Sequence, residues 1–343
     1  MKKISTLTSF VFGMKTLATL NLLILLGFYP FSKAFAQHDP EFTQYYANPL
    51  ALNPAFAGSE ICPVVHINYR NQWPGLAANF TTTSVSYDQY VSKLGGGVGL
   101  YVMSDRQSIT GAFKGTYISG MYAYQLKINP KWSFRFGAEA AWAQWSLGAD
   151  DLTFGDQIHP QRGFIYNTNE TFVNMQDNVV DFSVGGLAFS DDMYFGVAVR
   201  HITQPELVFM QGAQWPMRIN AHFGWRKPIN PSGLKSEEEK RYISPNLIYS
   251  YQAGFQQANA GFYVYNDPIS IGLWYRHVFN YSDAIALSLG LKTGNYRIGY
   301  SYDFTVSSLG NNASAGAHEL SLSINLNCRK PREVIRIPVC PKF

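Results

Sequence analysis

Charge is scarce in this 343-residue chain: Asp, Glu, Lys and Arg together make up 15%, against about 25% in soluble domains. Aromatic residues also reach 15%, which excludes a disordered chain, since such chains are poor in aromatics. Three cysteines are too few for a disulfide-dense scaffold. The seven histidines, at 38, 66, 159, 201, 222, 277 and 318, form no H-x-x-x-H pair and no cluster with cysteine, so the usual zinc arrangements are missing. There is no G-x-S-x-G elbow and no P-loop, and no nucleophile–base pair can be nominated. Asp150, Asp151 and Asp156 lack the spacing of a calcium loop,. No enzyme, metal site or cofactor is therefore expected.

The first segment carries its own signal. Lys2 and Lys3 precede a mostly apolar stretch from Leu17 to Tyr29, and Ala34-Phe35-Ala36 forms an A-x-A pattern before Gln37. This is a secretory signal peptide over 1–36, with cleavage expected after Ala36. The alternative, a retained anchor helix, suits the short apolar stretch less well. Four lysines and no acid lie in 1–36, so cleavage takes the formal charge from +4 to zero. With the basicity goes the main argument for a nucleic-acid partner. No later run has the length and apolarity of a membrane helix.

What the mature chain has in abundance is alternation of period two. Leu320, Leu322, Ile324 and Leu326 alternate with Glu319, Ser321, Ser323 and Asn325, and similar runs surround Phe136, Phe182, Phe195, Leu289 and Ile298. Such strands suit a soluble sandwich with its apolar face inside or an outer-membrane barrel with its apolar face on lipid. Export, low charge, a polar face full of Gly, Ser and Ala, and aromatics near strand ends favour the barrel. Fourteen antiparallel strands are predicted over 61–327, at 61–72, 79–89, 95–105, 112–127, 131–146, 178–189, 193–202, 216–227, 243–252, 257–266, 268–277, 282–292, 295–304 and 317–327. The even count matches bacterial barrels, and closure removes the sheet edges that lipid forbids.

Five even-numbered connections are short: Lys93-Leu94, Asn129-Pro130, Asp191-Asp192, Asn266-Asp267 and Thr293-Gly294-Asn295. They are expected as periplasmic turns, with generally longer odd connections outside. One even connection, 227–241, is long; its Lys235, Glu237, Glu238 and Glu239 mark a solvated loop or a contact for a periplasmic partner. On the outer side, Phe154, Phe164 and Tyr166 in 148–177, and Leu207, Phe209 and Met210 in 203–215, are candidate partner contacts.

On the polar face, Arg135, Glu139, Asp181, Arg200, Arg218, Arg276, Arg297, Asp303 and Glu319 are expected to form an interior charge network, since buried charges need partners. Cys62 at the start of the first strand and Cys328 at the end of the last become neighbours on closure, so a Cys62–Cys328 disulfide is expected, with Cys340 as the competing partner. The tail, 328–343, is basic and periplasmic; it would meet secretion components or anionic lipid.

The mature N-terminus, Gln37 to Ser59, contains Pro40, Glu41, Phe42, Thr43, Gln44, Tyr45, Tyr46, Ala47, Asn48, Pro49, Leu50, Ala51, Leu52, Asn53, Pro54, Ala55, Phe56, Ala57 and Gly58. This stretch resembles the opening of the PorP/SprF family of Bacteroidota outer-membrane proteins. Tyr69 to Gly75, Phe154-Gly155-Asp156-Gln157, Tyr302-Asp303-Phe304, His318 to Leu322 and Cys340 to Phe343 fit the same family. The resemblance implies a fourteen-stranded barrel linked to type IX secretion and, in some members, gliding motility. It also implies, as partners, type IX components and a cell-surface cargo protein carrying a type B C-terminal domain. A small-solute channel is the alternative function. Independently of the resemblance, the prolines break repetitive structure while Phe42, Tyr45 and Tyr46 supply anchors. Residues 37–60 are therefore predicted to pack at or in the periplasmic end as a plug that includes Asn48, Pro49, Asn53 and Pro54.

Overall fold

The computed structural model describes residues 39–60, 62–76, 79–107, 113–148, 154–169, 175–207, 213–229, 241–279 and 281–327. The chain divides between Ala36 and Gln37. The first unit lies outside the described residues, as do Cys328 and Cys340 with the rest of the tail.

Fourteen long strands form one closed antiparallel barrel. In chain order they are β1 (Val64–Gln72), β2 (Phe80–Val91), β3 (Gly96–Gln107), β4 (Phe113–Lys127), β5 (Ser133–Leu147), β6 (Met175–Phe189), β7 (Met193–Arg200), β8 (Arg218–Trp225), β9 (Arg241–Gln252), β10 (Phe255–Asn266), β11 (Ile269–Val278), β12 (Tyr281–Thr293), β13 (Tyr296–Thr305) and β14 (Ala317–Asn325). Each pairs with its neighbours in sequence, and β1 pairs with β14 from Val64 opposite Asn325 to Gln72 opposite Ala317, which shuts the ring. We call the end holding the start of β1 and the end of β14 the terminal end, and the opposite one the far end.

The period-two pattern becomes two faces. Leu100, Ile118, Phe136, Phe182, Leu247, Leu289, Ile298 and Leu320 point outward and are exposed, as lipid contacts require,. Their neighbours Tyr101, Ser119, Arg135, Asp181, Ile248, Ser288, Arg297 and Glu319 are buried inside. Not all aromatics serve as girdles. Tyr101, Tyr117, Trp145, Tyr194, Tyr263 and Trp274 are buried in the interior, where they pack against something other than lipid.

The expected short turns lie at the terminal end, including the 3₁₀ turn Ser92–Leu94. At the far end the rule of longer connections has two exceptions. β9 and β10 are joined by Ala253-Gly254, both with positive φ, and β11 and β12 by residues 279–280. In the long terminal-end connection, Lys227–Pro228 continues the hairpin opposite Tyr242 and Ile243. Lys235, Glu237, Glu238 and Glu239 lie outside the described residues.

Candidate functional site

The interior is occupied by the chain's own N-terminal segment. Tyr45–Ala47 and Pro54–Phe56 form single 3₁₀ turns, and Pro49–Leu52 one α turn. Pro49 and Pro54 each begin a turn, where a missing N–H costs nothing,. Asn53 caps the last turn: its Oδ1 accepts from Ala55 N at 2.8 Å,. Its Nδ2 lies 3.1 Å from Gly186 O and 3.2 Å from Val197 O, so the same side chain fastens the turn to β6 and β7. Gly185 faces this amide so closely that a Cβ would collide with it, and Gly137 likewise meets the Pro54–Ala55 backbone. The small residues of the polar face thus make room for a second piece of chain.

The apolar anchors of the segment are buried among the interior aromatics. Tyr46 lies edge-on to Tyr194 and Tyr263, each at 6.1 Å between ring centres, and Tyr45 meets Trp274 at 5.6 Å. Phe56 stacks on His222 at 5.4 Å. Leu50, Ala55 and Phe56 have no exposure. Each large side chain so buried contributes about 1.5–3 kcal/mol.

Polar contacts run the length of the segment. Asp39 sits between His201 Nε2 (2.9 Å) and Trp215 Nε1 (2.9 Å), and His201 Nδ1 reaches Asp181 at 2.8 Å. Glu41 pairs with Arg218 at 2.5 Å and accepts from Gln257. The Thr43 hydroxyl accepts from Arg70 and Arg276, both at 2.8 Å, and donates to Asp303 at 2.7 Å, which uses its full capacity,. Glu319 accepts from Thr43 N at 2.6 Å and Gln44 N at 3.0 Å and pairs with Arg70 at 3.2 Å. Asn48 donates to Ser84 at 3.0 Å, and Arg200 to Ala51 O at 2.8 Å. Arg135 donates to Ala57 O and to Gly58 O, while Gly58 N donates to Asp88 at 2.9 Å. Glu60 pairs with Arg297 at 2.9 Å. Asp39 and Glu41 stand at the far end and Glu60 at the terminal end, so the segment reaches beyond the periplasmic-end position expected from sequence and traverses the lumen.

At the far mouth, His201 and Asp39 have shifted titration. Burial pushes His201 down, but Asp39 and Asp181 overcome it and raise its pKa to about 9. Burial likewise acts to raise Asp39, yet His201, Arg218 and Arg200 hold it well below the usual carboxylate range.

The nine charges expected as one interior network fall instead into separate groups, mostly joined through the segment. Arg276, Asp303 and Glu319 share Thr43 and Arg70; Glu139 pairs with Arg200 at 3.3 Å; Asp181 holds His201; Arg218, Arg135 and Arg297 each bind the segment directly. Arg135 and Arg200 also reach backbone carbonyls of the segment, which draws these charges towards it rather than into one network among themselves. Arg70, Asp88 and His201 belong with them. Arg70 was readable from its place in the His66, Asn68, Arg70 alternation; His201, beyond the end of β7, had no periodic signal.

Cys62 is disulfide-bonded; its two candidate partners lie outside the described residues. Among the candidate outer contacts, Phe164 is 63% exposed and Tyr166 52%, and Phe154 is half-buried. Leu207 is a correction: it is fully buried, because the small hairpin Glu206–Leu207 with Ala213–Gln214 turns it into the core beside Trp215. Phe209 and Met210 lie outside the described residues. Ile158 and Ile165, not singled out from sequence, are exposed beside Phe164. The loop bearing them is ordered by Asp156, which accepts from Thr168 Oγ1 and Asn169 N at 2.9 and 2.7 Å, and by Gln157, which accepts from Phe154 N. Asp156 therefore has a structural partner, and among the described residues no acidic or histidine cluster could hold a metal.

The family model of the type IX secretion system membrane protein PorP/SprF matches residues 34–324. The chain belongs to the PorP/SprF family. It is an outer-membrane β-barrel of the type IX secretion system. Among solved structures, the Ralstonia pickettii toluene transporter TbuX is similar over 81% of this chain and 93% of that one, with a TM-score of 0.52 and 9% identity. The P. putida toluene transporter TodX covers 81% and 93%, with a TM-score of 0.46 and 9% identity. At such identity the TbuX likeness shows the shared barrel fold alone. No curated protein matches the sequence.

Proposed function

We propose that this PorP/SprF barrel is a non-enzymatic partner protein. In this reading it binds a cell-surface cargo protein through the cargo's type B C-terminal domain, at the far end of the barrel, and anchors it or assists its export. The observation that carries the reading is the filled lumen. With Asp39–Glu60 fastened to the wall from end to end, the barrel offers a partner its rim rather than its bore. The ordered loop with Ile158, Phe164, Ile165 and Tyr166 exposed supplies apolar contacts there. Orientation follows the barrel rule of short periplasmic turns and longer outer loops: the end with the short turns, the terminal end, is taken as periplasmic and the far end as outside.

Light cross-linking in native cells, purification in mild detergent and mass spectrometry test this. A stoichiometric large secreted protein, cross-linked through its C-terminal domain, is expected. A monomeric barrel without that protein contradicts the reading.

A small-solute channel is the second reading. One observation favours it: a cavity of about 60 Å³ at the far mouth, lined by Phe42, Tyr45, Tyr101, Met103, Tyr117, Trp215, Arg200 and Arg218. It is large enough for a few waters.

A further inference from the structure

The direction of the segment has a topological consequence. Asp39 meets His201, one residue beyond the far end of β7, and Trp215 in the connection to β8. Thr43 meets Asp303, two residues from the far end of β13. Asn48 meets Ser84 midway along β2, and Gly58 meets Asp88 nearer its terminal end. Glu60 meets Arg297, the second residue of β13 at the terminal end. The backbone therefore crosses the lumen once, with its earlier residues at the far mouth. Asp39, Pro40 and Glu41 are partly exposed there, whereas every residue from Phe42 to Leu50 is buried.

Only Gln37 and His38 separate Asp39 from the cleavage expected after Ala36,. Two residues reach at most about 7 Å. The wall is far taller: the ten residues of β13 span about 33 Å along the strand, roughly 25 Å along an axis from which strands tilt by about 40°. A return to the terminal mouth is out of reach. We infer that the mature N-terminus is threaded outward through its own barrel and presented at the cell surface, where an arriving partner meets it. The inference rests on the barrel orientation given above. Asp39 and Glu41 are the clamps that hold the leading end at the mouth.

Labelling with a membrane-impermeant maleimide tests it. Three variants of the full chain are compared in intact and permeabilised cells: His38→Cys, Ser308→Cys in the far-end connection after β13, and Lys93→Cys in the terminal-end turn after β2. The expected result is that His38→Cys labels on intact cells to the extent of Ser308→Cys, while Lys93→Cys labels only after permeabilisation. His38→Cys behaving like Lys93→Cys, or labelling only after denaturation, overturns the outward threading. If Lys93→Cys labels on intact cells and Ser308→Cys does not, the orientation fails and the surface claim with it; His38→Cys following Ser308→Cys would then locate the error in orientation alone. N-terminal sequencing that finds the first 36 residues retained also overturns the inference.

Discussion

The two ends of the lumen hold the same segment by different means. At the far end the segment reaches out with its own side chains: Asp39 to His201 and Trp215, Glu41 to Arg218, Thr43 to Arg70, Arg276 and Asp303. Later along the segment the wall reaches in to the backbone: Arg200, at the far end of β7, to Ala51 O, and towards the terminal end Arg135 to the carbonyls of Ala57 and Gly58 and Asp88 to Gly58 N, with Glu60–Arg297 as the side-chain pair at that mouth. Side-chain anchors depend on residue identity within the segment. Backbone anchors depend on the wall and on the closeness that Gly137 and Gly185 permit. Sensitivity to mutation should therefore shift from segment to wall between Asp39 and Gly58.

The largest effect is expected where both modes meet. Arg70→Ala leaves Asp303 and Glu319 short of a buried cation and should cost about 3–5 kcal/mol, seen as a lower melting temperature of the detergent-solubilised barrel. Next comes overpacking: Gly185→Leu drives a side chain into Asn53 and should cost about 1–3 kcal/mol, with the band on a non-boiled gel keeping its folded mobility while conductance rises. Asn53→Ala deletes the cap and the bonds to Gly186 and Val197; a loss of about 1–2 kcal/mol is expected, and equal sensitivity at Ala51→Ser would break the comparison by showing that side-chain identity matters where only the carbonyl is held.

The far-end clamp alone should respond to alkali. His201 is raised to about 9 from an ordinary 6.5, so its stabilisation is full below pH 6.5 and is lost as pH rises through 9. Asp39 and Asp181 face it, with Thr203, Trp215 and Arg218 around them. Between pH 7 and pH 10 the wild-type melting temperature should fall by roughly 2–4 °C more than that of His201→Gln, about 1 kcal/mol for a large domain. Equal falls would remove the pH-dependent clamp. The smallest effect on stability belongs to the rim. Phe164→Ser with Tyr166→Ser should leave melting within about 0.5 kcal/mol yet reduce the secreted protein recovered after cross-linking.

The barrel was legible because lipid enforces alternation: a strand such as Glu319–Leu326 has one solvent on each face, and period two follows. Strand ends agreed to within a few residues for the same reason. The interior was legible only in part. Gly, Ser and Ala on the polar face announced a filled lumen, and Pro49 and Pro54 announced a broken segment. Which wall residue meets which segment residue depends on pairs as distant in sequence as Gln44 and Ser321, and no local pattern encodes that. Leu207 looked like an outer anchor because an apolar residue in a loop carries no mark of facing inward. Ile158 and Ile165 escaped notice because exposure there is set by the Asp156 and Gln157 hydrogen bonds.

Conductance of the purified wild-type barrel in a planar lipid bilayer tests the filled lumen most directly. A segment anchored at both mouths predicts insertion, confirmed by protein recovered with the membrane, without steady single-channel steps. Stable, long-lived steps from the wild-type protein would contradict it and return the channel reading to first place.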